Sequence, residues 1–160
     1  MRRETIVRPR ISAREPLSPD VPDTIKKDYL EACLVLNDSP KASAALSRRC
    51  LQHLLREKAG IKRGNLADEI QQVLDAKILP PQLAEDIDGV RNVGNFAAHP
   101  EKSTKTGEII DVEPGEAEWL LTTLEGLFDF FYVQPAAHQR RRDAVNAKLK
   151  EAGKAPMKKK

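Results

Sequence analysis

Prolines and helix-capping residues cut this chain into segments, and five of these carry an apolar stripe at helical spacing. Ser39-Pro40, Asn65, Pro80-Pro81, Glu113-Pro114 and Gln134-Pro135 are the cuts. Ser and Asn at a helix edge accept hydrogen bonds from first-turn N–H groups, and proline in the first turn lacks a donor the helix does not need there. Between the cuts, apolar residues recur every three or four positions. Helices are therefore predicted over Asp23–Asn37 (Ile25, Tyr29, Ala32, Cys33, Leu36), with Asp23 as its cap, and from Pro40 to Gly60 (Leu46, Cys50, Leu51, Leu54, Leu55). Two more are predicted from Asn65 to Lys77 (Leu66, Ile70, Val73, Leu74) and from Pro81 to His99 (Leu83, Ile87, Val90). The richest stripe follows Glu113 (Ala117, Leu120, Leu121, Leu124, Leu127, Phe128, Phe131) and belongs at the centre, with Gln134-Pro135 ending its helix. A basic helix over 136–151 closes the series. Residues 100–112 read as a polar loop with a short extended piece at 109–112. One-sided stripes are buried only against one another, so the chain is expected to be all-α, a single-domain bundle of five to six helices.

At 160 residues the chain has the size of one domain, and with 4% aromatic residues its core must be mainly aliphatic. No apolar run is long enough for a membrane span, and Met1-Arg2-Arg3-Glu4 opens no secretory signal. Cys33 and Cys50 are too few for a disulfide scaffold or a four-cysteine zinc site, so a reducing, cytoplasmic location is the default. Charge is uneven. Residues 1–20 hold five Lys/Arg and three acids among three prolines, and read as an extended or disordered lead. Residues 21–137, the expected helical domain, hold 13 Lys/Arg against 19 acids. Residues 138–160, the expected basic helix and tail, hold nine Lys/Arg against two acids. The body is acidic and the end basic. That tail either attracts nucleic acid weakly and salt-dependently or simply solubilises the chain.

Few residue sets suggest chemistry. His53, His99 and His138 are scattered and match no metal-ligand spacing, so neither metal nor cofactor is expected. Arg48, Arg49, His53 and Arg56 share one helix, as an anion site or as a solvated flank. The Gly60–Asn65 loop has two glycines and two bases before a helix but lacks the phosphate-loop Lys-Ser/Thr pair. Gly89 and Gly94 each cost about 1 kcal/mol in a helix interior, which suggests close approach by another backbone or a site.

The stretch from Val90 to Pro100 is the most informative. Arg91, Asn95 and His99 are spaced i, i+4, i+8, and each step drifts only about 40° around a helix, so they share one stripe. The stripe combines a permanent cation, an amide and a titratable imidazole. In phosphodiester cleavage His99 would move the proton, Arg91 hold the phosphate and Asn95 orient the imidazole or nucleophile. With RNA, the 2′-hydroxyl would be the nucleophile and no metal would be needed. The same residues also suit a structural end, because an imidazole at a helix C-terminus is favoured by the dipole and caps the last turn before Pro100.

Tyr29–Ala32, Ala44–Leu51, Leu66–Ile70, Ile78–Ala84, Arg91–Pro100 and Phe130–Pro135 together resemble a small bacterial domain, the domain of unknown function 4145. The resemblance covers roughly residues 20–137. That domain occurs alone or attached to restriction-type and other defence proteins and is grouped with the HEPN superfamily. The resemblance implies a helical bundle that dimerises. In active HEPN ribonucleases two copies of an arginine–polar residue–histidine motif meet across the dimer as one metal-independent site. Other members bind nucleotides or RNA, or serve as assembly modules. Here Asn95 and His99 match the polar and histidine positions, but Gly94 stands where the motif has arginine, and Arg91 lies one turn earlier. The frame using Asn92 turns it off the stripe. The expectation is a binding module acting at a dimer groove on RNA, a nucleotide or a defence-system partner protein, without turnover or only conditionally active. Arg48, Arg49 and Asn92 are its candidate binding residues. The alternatives are an endoribonuclease using Arg91, Asn95 and His99, and a homodimer packed through the Gly89/Gly94 side.

Overall fold

A computed structural model describes the backbone of residues 12–98, 103–105 and 111–158, and the side chains of these residues except 92–98. The elements are α1 (Asp23–Val35), α2 (Pro40–Lys58), α3 (Leu66–Ala76), α4 (Pro81–Ala98), α5 (Pro114–Phe128), a π-helical turn (Asp129–Val133) and α6 (Gln134–Glu151). The protein is all-helical, with no strand among the described residues.

The sequence punctuation acts locally as its chemistry requires. The Ser39 hydroxyl accepts from the Ala42 N–H at 3.2 Å, and Asn65 Oδ1 accepts from the Asp68 N–H at 2.9 Å. Glu116 reaches back to the Glu113 N–H at 2.9 Å. Gly60, at φ +63°, follows the last turn of α2 in the left-handed region that only glycine enters freely. Two ends differ from expectation. Pro22, not Asp23, caps α1 without a side-chain bond, and Asp23 is the first helical residue, where its charge complements the dipole. α3 ends where expected, at Lys77, which takes the left-handed conformation. Gln134-Pro135 does not end the run begun at α5. The hydrogen-bond ladder widens instead, the Gln134 N–H bonding the Asp129 carbonyl five residues back, and α6 starts afresh with Pro135 in its first turn, where no donor is missed.

α1, α3, α4 and α5 all pack on α2, so the centre is α2 with α5 beside it rather than α5 alone. The shared core is aliphatic, with Leu51, Leu54, Leu55, Ile70, Ile87, Leu121, Leu124 and Leu127 fully buried. Tyr29 and Phe128 meet edge to face at 5.3 Å between ring centroids. Residues 12–22 run over α5. Arg14 binds Glu125 at 2.7 Å and the Glu118 carbonyl at 2.9 Å, the Tyr29 hydroxyl donates to the same Glu125 carboxylate, and Val21 is buried. α6 is different in kind. It packs on the π turn that leads into it and buries no residue.

Candidate functional site

α4 is positioned by two reciprocal close approaches to α5. A Cβ placed on Gly89 would lie 2.6 Å from Trp119 Cη2, and one on Gly126 would lie 2.8 Å from a Leu83 methyl. Each helix thus gives up a side chain where the other inserts a large one, and the antiparallel pair locks at both ends. Gly89 is thereby used inside its own chain.

The sequence stripe begins on the other side of α4. Arg91 pairs with Asp88 one turn back at 2.6 Å and donates to Gln71 Oε1 of α3 at 2.6 Å. Its side chain keeps 33% of its surface exposed. Arg91 therefore ties α4 to α3 while remaining reachable from solvent. Asn92 and Asn95 lie on α4, and their side chains, with all of His99, fall outside the described residues.

Arg48 and Arg49, neighbours in sequence, do not converge. Arg48 is half-buried and donates to the Val90 carbonyl of α4 at 3.2 Å, and burial lowers its pKa. Arg49 turns to α1, where it grips Asp28 with two bonds, Nε to Oδ2 at 2.7 Å and Nη2 to Oδ1. Those bonds hold the Asp28 carboxyl below its ordinary value against the cost of burial. Arg48 and Arg91 thus reach the same stretch of α4, from α2 and from α4 itself.

A polar cavity of about 320 Å³ joins Thr24, His53, Arg56, Glu57 and Arg63. Arg56 is already committed, through Nε to Glu69 at 2.8 Å and through Nη2 to the Gly64 carbonyl at 3.1 Å. Glu69 is fully buried. Burial acts to raise its pKa, but the bonds from Arg56 and from the Gly64 N–H outweigh it, and the net shift is downward. Arg56, Glu69 and Gln72, whose amide group bonds the Lys62 backbone N–H and carbonyl at 2.9 and 3.0 Å, thus hold the loop to α3. Periodicity singled out neither Asp28 nor Glu69, because a buried acid on an amphipathic helix looks like any polar residue until its partner is placed. Among the described residues, no group of three His, Cys, Asp or Glu side chains could hold a metal ion, and no helix is long and apolar enough to cross a membrane. Burial pushes the Cys50 thiol up to about 12 and also raises that of Cys33, so neither is an activated nucleophile.

An all-helical domain with cation-bearing α2 and α4 surfaces is the class this geometry defines. Residues 30–152 match the model for the domain of unknown function DUF4145, and the chain belongs to that family. The match runs through α6. No curated protein and no solved structure matches the chain.

Proposed function

We propose that this protein is a HEPN-like binding module of a bacterial defence or toxin-type system. It acts in the cytoplasm as a homodimer and engages RNA, a nucleotide or a partner protein at a groove beside α4, without turnover or only conditionally active. The observation that carries this reading is the state of Arg91. A cation that must stabilise a phosphoryl transition state needs its donors aimed at the substrate. Arg91 spends donors on Asp88 and Gln71. What remains exposed suits ground-state contact with an anion, and Gly94 in the motif's arginine position supports the same side. A purely structural homodimer through the Gly89/Gly94 side is less favoured, because the Trp119 ring covers Gly89.

The test is binding of labelled RNA and of a nucleotide to wild-type protein and to Arg91→Ala. Arg91→Ala is expected to weaken binding about tenfold, the loss of one charge-assisted contact. Equal binding by both forms of the protein would remove Arg91 from the site.

A further inference from the structure

We infer that α6 and the π turn form a second docking surface, for single-stranded nucleic acid. This inference stands apart from the α4 reading. α6 is an 18-residue helix that buries nothing, so its side chains are not explained by packing. The chain from His138 onward carries nine Lys/Arg and two acids, against an acidic body. Two of its arginines are used internally, Arg140 holding Asp20 through bonds of 2.7 and 2.9 Å. Arg142 donates to the Met157 carbonyl, which folds the tail back along the helix. Arg141, Lys148 and Lys150 have no ion-pair partner among the described residues. Arg141 and Lys148 are seven residues apart and so lie on one face.

Where α6 leaves the bundle, that basic face meets an open groove of about 770 Å³ lined by Phe130, Phe131, Pro135, His138 and Arg141. The two rings meet edge to face at 4.9 Å. Phe131 packs on the core, whereas Phe130, equally only partly buried, is not part of that packing. The acid at the groove, Asp129, accepts from Gln134 at 2.5 Å. A partly exposed ring held on a helical support, beside cations that track away along a helix, is what a single strand needs. Bases stack on the ring whatever their sequence, and the backbone follows the charges. A duplex hides its base faces and would gain only the charges.

The test is fluorescence anisotropy with the full chain and a labelled oligouridylate of about 16 nucleotides. Affinity is expected to fall about 18-fold between roughly 50 and 200 mM salt if about three phosphates are neutralised. Arg141→Ala/Lys148→Ala should weaken binding at least tenfold, and Phe130→Leu several-fold at the higher salt, both with unchanged helix content. None of these positions lies in the core, so the variants will fold. Absence of binding at the lower salt would overturn the proposal. So would binding that is indifferent to these substitutions but lost in Arg91→Ala, which would assign the RNA to α4. A duplex of equal length bound as tightly as the single strand would overturn the stacking role of Phe130.

Discussion

At Gly89 the α4 backbone passes so close to Trp119 that the first added carbon must displace an indole ring. In an open helix Gly→Ala gains about 1 kcal/mol from propensity. Overpacking costs about 1–3 kcal/mol, and a ring contact at 2.6 Å belongs at the upper end. Gly89→Ala is therefore expected to destabilise by about 1–2 kcal/mol in urea unfolding, and Gly89→Ala/Trp119→Leu to recover part of that loss. A neutral or stabilising Gly89→Ala would mean that the ring moves freely. Sequence reading expected another backbone or a site at this glycine, but the neighbour is a side chain, Trp119, thirty residues away in another helix. Glu69 makes the same point with charge. Removing Arg56 leaves a fully buried carboxylate without its cation, so Arg56→Ala should cost about 3 kcal/mol at neutral pH. The cost should shrink in acid as Glu69 takes up a proton, which parallel unfolding curves at two pH values will show.

At the scale of elements, the helix starts were legible because caps and prolines act over three or four residues. Ser39→Ala should lower stability by about 1 kcal/mol, readable as a shift of the urea midpoint at constant slope. The end of the run begun at α5 was not legible, because the π turn absorbs Pro135 by widening the ladder rather than breaking the helix. A proline in sequence reports only a missing donor. Whether the chain stops or changes register depends on the packing around it, here Tyr132, whose hydroxyl donates to Glu57 of α2 at 3.0 Å. Because α6 buries no residue and its ion pair with Asp20 is solvent-screened, a chain ending at residue 137 should unfold at nearly the same urea midpoint as the full chain. A clearly lower midpoint would mean that α6 covers more of the bundle in solution.

Across the whole molecule, helical spacing defined the fold class because each stripe had a single face to bury. The candidate site was less legible. The spacing of Arg91, Asn95 and His99 is a property of one helix, whereas the use of Arg91 depends on Gln71 of α3 and the separation of Arg48 from Arg49 depends on Asp28 of α1. Two buried acids, Asp28 and Glu69, also set the acid response. Both are held below the usual carboxylate values. Their stabilisation is thus complete above the unfolded carboxyl pKa of about 4 and is lost as pH falls through the lower native values. The melting temperature should be level from about pH 7 to pH 5 and fall below about pH 4. A maximum in the acid range would contradict that assignment.

The central claim is that α4 binds without cleaving. Wild-type protein, Arg91→Ala and His99→Ala incubated with mixed cellular RNA in EDTA test it most directly. The expected result is intact RNA with all three proteins. Cleavage by the wild type that disappears in both variants would contradict the account and establish a metal-independent ribonuclease in which Arg91 acts from one turn upstream.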